Sequence, residues 1–142
     1  MKFTSILAAI AICIAAISCT KEETEDQICG EYEGMQSTTL VKGMGDPEQK
    51  VYTIKDYKDG KCTLQMPFNH PFDMTDVEVK DLGNGKFSLH HGPFTESIYI
   101  NKNGLDGTIE NGVLTLKFNV IIAPMAEKFP KGMDYNFSGK RK

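Results

Sequence analysis

The stretch "VLTLKFNVI", residues 113–121, decides the fold. In an extended chain Leu114, Leu116, Phe118 and Val120 share one face, and Thr115, Lys117 and Asn119 share the other. A period of two, not 3.6, is the pattern of a strand with one side in a core and the other in water. On a helix the same residues would be scattered around the axis.

The pattern repeats outward from there. "CTLQM" groups Cys62, Leu64 and Met66; "DVEVKDL" sets Val77 and Val79 against Glu78 and Lys80; "KFSLH" pairs Phe87 with Leu89; "SIYIN" pairs Ile98 with Ile100. Between these runs stand Lys58-Asp59-Gly60, Gly83-Asn84-Gly85, Lys102-Asn103-Gly104 and Glu110-Asn111-Gly112. Asp-Gly and Asn-Gly steps reverse a chain within two residues, because both positions accept a positive φ. The spacing predicts eight or nine strands, at about 29–41, 49–57, 61–67, 74–82, 86–91, 95–101, 104–110, 113–122 and 132–140. No segment predicts a helix long enough to cover a sheet face. An all-β, antiparallel up-and-down barrel of eight or nine strands follows, since closure removes the exposed edges an open meander would keep. "GEYEG" (30–34) and "YNFSGK" (135–140) are aromatic strands with glycine at the two ends of this region, and they are the expected closing seam. A two-sheet sandwich shows the same period and stays open at this point.

Ahead of the barrel the chain reads differently. Met1-Lys2 is followed by 16 uncharged residues, Phe3 to Ser18, containing "ILAAIAICIAAI". That is shorter than the roughly twenty residues a membrane-spanning helix needs, and its flanks are those of a secretory signal. "AAISC" (15–19) resembles the lipobox of bacterial lipoproteins. The resemblance implies cleavage after Ser18 and lipidation of Cys19, so that residues 1–18 are the signal peptide. Several acyl chains on one residue give a stable anchor, since each buried CH₂ contributes about 0.8 kcal/mol. "TKEETEDQ" (20–27) is polar and acidic, and 19–27 is expected to be a flexible tether, leaving 28–142 for the barrel. Thr20 stands where an aspartate often retains lipoproteins in the inner membrane, and Lys21-Glu22-Glu23 resembles the signals that send some Gram-negative lipoproteins to the cell surface. The expected location is the outer membrane, with outward exposure open.

Composition narrows the partners. The formal net charge is −3 and the lysines are scattered apart from Lys140-Arg141-Lys142, so there is no basic face for nucleic acid. About 110 residues suffice for one domain with one modest core, and a monomer is expected. With Cys13 in the signal and Cys19 under lipid, Cys29 and Cys62 remain; in an oxidising compartment they are either a disulfide or two free thiols.

"GEYEGMQ", "VYTIKDYKDGKCTLQM", "MTDVEVKDLGNGKFSL", and "LDGTIENGVLTLKF" followed by "YNFSGK" are similar to the calycin-like β-barrel family, short lipoproteins of gut bacteria with a lipocalin-like fold. The resemblance spans roughly residues 28 to 141. It implies the barrel and a capacity to hold a small apolar or amphipathic ligand, but brings no catalytic motif. The Gly-x-Trp of lipocalins is absent, as the chain has no tryptophan.

Chemistry is sparse in the sequence. His90 and His91 point to opposite faces of one strand, and together with His70 they match no metal-ligand spacing. No G-x-S-x-G elbow surrounds any serine. Glu31 and Glu33 share a face, as a weak cation site or carboxylate pair would, but a solvated face is the stronger reading, since a retaining pair needs one carboxyl buried opposite the other across a cleft. "GMGDPEQ" (43–49) lacks the ending of a phosphate loop. The expectation is a protein that binds and does not catalyse, with no cofactor and no metal. Its pocket candidates are the inward residues Tyr32, Leu64, Met66, Phe87, Leu89, Ile98, Ile100, Leu116, Phe118, Tyr135 and Phe137, which form either a ligand cavity or a packed core. In the second case the protein is a solid barrel acting as an interaction module. The long connections "PFNHPFDM" (67–74) and "IIAPMAEKFPKGM" (121–133) carry Phe68, Phe72, Met74, Met125, Phe129 and Met133, which either meet a ligand or plug the barrel ends.

Overall fold

The computed structural model describes residues 24–39 and 47–142. Its strands are β1 Gly30–Thr39, β2 Glu48–Lys58, β3 Lys61–Met66, β4 Phe72–Gly83, β5 Lys86–His91, β6 Phe94–Glu96, β7 Tyr99–Asn101, β8 Leu105–Glu110, β9 Val113–Ile122 and β10 Met133–Arg141. Eight of them form the closed antiparallel ring β10-β1-β2-β3-β4-β5-β8-β9, with β9 pairing back to β10. The sandwich is thereby excluded. Cys19 and the signal segment lie outside the described residues.

Three of the four expected turns are two-residue hairpins. Asp59-Gly60, Asn84-Gly85 and Asn111-Gly112 all have positive φ, between 51° and 78°, which matches the twist of the strands they join. The seam forms as anticipated, with Gly34 opposite Gly139. A Cβ on Gly34 would sit 1.9 Å from the carbonyl oxygen of Ser138, and one on Gly139 would sit 2.4 Å from the ring of Phe137. Only glycine lets the two strands come this close.

β9 alternates as its sequence demands, with Leu114, Leu116, Phe118 and Val120 all buried. Bulges break the period elsewhere. Register shifts between β2 and β3, and between β3 and β4, accompany positive φ at Asp56 and Asp76. The second lets Met74 and Val77, three apart, both face inward. Outward positions such as Glu78, Lys117 and Asp134 are exposed. This is apolar inside and polar outside, the reverse of a barrel that faces lipid.

Two expectations are corrected. The segment 95–101 is not one strand: the chain reverses at Ser97, whose φ is 53°, giving the hairpin β6–β7 beside the end of β9. The reversal also swaps faces, so Tyr99 and Asn101 are buried while Ile98 and Ile100 are half-buried. Lys102-Asn103-Gly104 is likewise no hairpin, because β7 and β8 are not paired. Asn101 shapes that connection instead: its Oδ1 accepts from Gly104 N–H at 2.6 Å, and its Nδ2 donates to the carbonyls of Gly104 at 3.0 Å and Asn119 at 2.8 Å.

The two ends of the barrel differ. One carries the tight turns and is closed by a helical turn at 24–28, part of which was expected to be tether. Ile28 has no exposed surface, and Tyr32 donates its hydroxyl to the Ile28 carbonyl at 2.6 Å. The other end carries the long connections, a 3₁₀ turn at Ala123–Met125 and the β6–β7 hairpin. Function is to be sought at this mouth.

Candidate functional site at the barrel mouth

Extending the inward alternation of β1 and β2 toward the mouth brings in polar residues. Beyond Tyr32 come Gly34, Gln36 and Thr38; before Tyr52 come Lys50 and Glu48, with Gln36 opposite Glu48 and Gly34 opposite Lys50. Together with Asn69 they form the polar wall of a cavity of about 370 Å³, within the range of small-ligand sites. The facing wall is apolar, made of Phe68, Tyr99, Tyr135, Met125, Met133 and Ile122. The pocket is therefore two-sided, polar on β1 and β2 and aromatic or thioether on the rest.

Phe68 organises the apolar wall. Its ring centre lies 4.5 Å from that of Tyr99, 5.4 Å from Tyr135 and 5.9 Å from Phe72, and Tyr135 stacks on Phe118 at 5.1 Å with planes 3° apart. Such pairs hold one another in place beyond their burial alone. Below the cavity the barrel is solid. Tyr52 and Phe137 meet at 4.4 Å, and the buried phenol of Tyr52 donates to Oε1 of Gln36.

That bond orients the amide. With Oε1 engaged, Nε2 of Gln36 has no protein partner among the described residues, and neither has the hydroxyl of Tyr135. Among those residues no sealed side-chain nitrogen or oxygen lacks a partner. Gln36 is 5% exposed, Tyr135 is 7% exposed, and both line the cavity, so their free donors open onto it. Tyr99 accepts the backbone N–H of His70 at 3.1 Å, which leaves its own hydrogen to give. Burial pushes the Tyr135 phenol up to about 12, helped by nearby Tyr99 and Glu48, so it is a donor at neutral pH. Lys50 stands 3.3 Å from Glu48, the lysine side chain 26% exposed and the glutamate 70%.

Of the residues anticipated from the sequence as pocket lining, only Tyr135 touches this cavity. Tyr32, Leu64, Met66, Phe87, Leu89, Leu116, Phe118 and Phe137 are buried in the packed interior, whereas Ile98, just ahead of β7 and packed against the core, and Ile100, on the other face of β7 from Tyr99, are half-buried. The loop residues Phe68, Met125 and Met133 do line it. Gln36, Glu48, Lys50 and Tyr99 went unrecognised, although counting in twos from Tyr32 and Tyr52 reaches the first three.

Several ionisable groups outside the mouth form pairs on the surface. Lys142 Nζ lies 3.7 Å from Glu31 and 3.4 Å from Glu33, outside the barrel rather than across a cleft. His90 pairs with Asp106 at 2.8 Å, His91 Nδ1 contacts the Gly92 carbonyl at 2.7 Å, and Lys55 pairs with Asp73 at 2.9 Å. Cys29 and Cys62 are free thiols, half-buried and buried. Burial pushes Cys62 up to about 12, and Cys29 adds to the shift. Among the described residues no group of three or more His, Cys, Asp or Glu could hold a metal ion.

The class defined so far is a closed, water-facing, eight-stranded antiparallel barrel with a pocket at one mouth. No family model matches the chain, and no curated protein matches it at a significant level. Among solved structures it is similar to a putative outer membrane protein from Bacteroides fragilis NCTC 9343, with a TM-score of 0.62 and 19% identity over 82% of this chain and 52% of the other. The chain thus spans about half the length of that protein, and the likeness is one of fold.

Proposed function

We propose that this protein is a lipid-anchored barrel of the bacterial outer membrane that binds a small amphipathic ligand at its mouth and catalyses nothing. The observation that carries the binding is the two-sided cavity of about 370 Å³ above a sealed core. The anchor rests on the "AAISC" motif and its Cys19, and the calycin-like assignment on the strand and turn patterns. The Bacteroides neighbour supports an envelope location by likeness of fold. Non-catalysis is supported by the mouth's chemistry, in which Glu48, the only carboxylate among the described residues that line the cavity, is largely exposed and already paired with Lys50.

The anchor also orients the pocket. Thr24 enters at the closed end, and five residues from Cys19 reach at most about 17 Å. With such an anchor the closed end would be held near the lipid, and the mouth would be the end farther from it, open to solutes or a protein partner. A second reading, an interaction module whose mouth receives a protein loop, is favoured by the solid packing below the cavity.

Native mass spectrometry of a soluble form starting at Thr20, which keeps every described residue, tests the reading when the protein is purified from its own host. A co-purifying small molecule of defined mass supports it. A bare mass that stays unchanged against fatty-acid and bile-acid panels argues for the protein partner.

A further inference from the structure

We infer that the occupant of the mouth is an anion, a small carboxylic acid with an apolar or aromatic body, its head held by Lys50, Gln36 and the two tyrosine hydroxyls; this rests on the pocket reading above. The donors reach the one cavity from four strands. Gln36 Nε2 comes from β1, Lys50 from β2, Tyr99 from β7 and Tyr135 from β10. The three neutral donors are each fixed by a different neighbour: the Gln36 amide by Tyr52, the Tyr99 hydroxyl by the His70 N–H, and the Tyr135 ring by its stack on Phe118. None of the three neutral donors has an acceptor among the described residues.

A nearly buried donor left without an acceptor is costly unless water or a ligand supplies one. A neutral alcohol or amide head offers fewer lone pairs and brings hydrogens of its own, which would have to be taken by Glu48 or by the side-chain oxygens of Thr38 and Asn69. A carboxylate offers about four acceptor sites and no hydrogens. It also matches the charge of Lys50, and hydrogen bonds to an ionised group are the stronger kind. The opposing charge, Glu48, is 70% exposed, so its pairing with Lys50 at 3.3 Å is a weak, solvent-screened one, whereas Lys50 is 26% exposed and sits opposite Gly34, which has no side chain to crowd it. The body of the ligand then lies against Phe68, Met125 and Met133, rings and thioethers that accommodate varied apolar shapes. Because the cavity is near the lower end of ligand-site volumes, the body is a short chain or a single ring system.

Titration calorimetry of the protein with matched pairs separates this inference from the pocket reading. The probes are 4-phenylbutyric acid and 4-phenylbutan-1-ol, octanoic acid and octan-1-ol, and 2-naphthylacetic acid and 2-naphthylethanol, at pH 7. Acids are expected to bind at least about tenfold more tightly than their alcohols, a difference one charge-assisted contact supplies. Lys50→Gln should remove most of that preference, weakening the acids by a larger factor than the alcohols. Tyr99→Phe, which keeps the ring, should reduce it by a smaller factor. Equal affinities within each pair overturn the anion assignment and leave the pocket standing. No binding by any member overturns both.

Discussion

Tyr52 reaches from β2 past the level of Gly34 to donate its phenol hydrogen to Gln36 on β1. This contact divides the interior: below it lies the packed core cluster, above it the barrel opens. It also turns the Gln36 amide so that its N–H₂ faces the cavity. Tyr52→Phe leaves Oε1 of a nearly buried amide without its donor and should cost about 1–3 kcal/mol. Urea denaturation is the check, read as a lower midpoint at unchanged slope.

Gly34→Ala tests the seam. The added carbon would meet the Ser138 carbonyl at 1.9 Å, and that obstacle is backbone, not the tip of a flexible side chain. β1 and β10 must separate, so the loss should exceed the roughly 1–3 kcal/mol of ordinary overpacking. In a thermal scan this is a drop of about 10 °C or more; a change of only a degree or two would show that the seam is not closed as described.

Ile28→Ala tests the plug at the closed end. The side chain is wholly buried under the turns, and truncating a buried isoleucine costs about 2–5 kcal/mol. The affinity of the mouth for its ligand should be unaffected, as the packed core lies between. Paired denaturation and binding measurements separate the two effects.

Alkali should unfold the protein cooperatively. Burial raises the phenols of Tyr32 and Tyr135 to about 12, and that of Tyr52 higher still. Unfolded tyrosines release their protons near pH 10. A raised folded pKa means the stabilisation is intact below the unfolded value and is lost as pH climbs toward the folded one. Stability therefore declines above about pH 10, by about 1.4 kcal/mol per pH unit for each proton retained only by the folded state. Tyrosinate absorbance and circular dichroism should report the loss of these protons and of the fold at the same pH; phenol ionisation well ahead of unfolding would refute the burial.

Cys62 should be silent toward thiol reagents at pH 8 while the barrel is folded. Its raised pKa, from 9.0 to about 12, lowers the thiolate fraction about a thousandfold. Denaturant should release it, and Cys29, half-buried at the closed end, should react first.

Most of the fold was legible because strands and I′ turns write themselves in short-range patterns. Leu114 through Val120 and the pairs Asp59-Gly60, Asn84-Gly85 and Asn111-Gly112 needed no knowledge of their partners. The split at Ser97 was not legible, since a lone serine is a far weaker turn signal than Asn-Gly or Asp-Gly and "SIYIN" alternates cleanly in either phase. Its true phase is set by docking on the end of β9, a long-range contact. The mouth was hidden for a related reason. Glu48 and Lys50 look like solvated residues at a strand end, and only the register with β1 shows that they continue the inward row. The core, by contrast, was read as possible pocket lining because composition tells which side chains point inward but not whether they meet in the middle.

The closing strand β10 pairs with both β9 and β1, and it is the last strand of the barrel to leave the ribosome. Until it emerges, the nascent chain exposes two unpaired edges and an uncovered apolar interior. Completion of the barrel is thus a single late event, coupling β1 to β10 across most of the sequence, and such long-range closure is slow. A chain interrupted before residue 133 would retain the edges and lose the fold, making it a substrate for proteolysis or aggregation rather than a smaller working barrel.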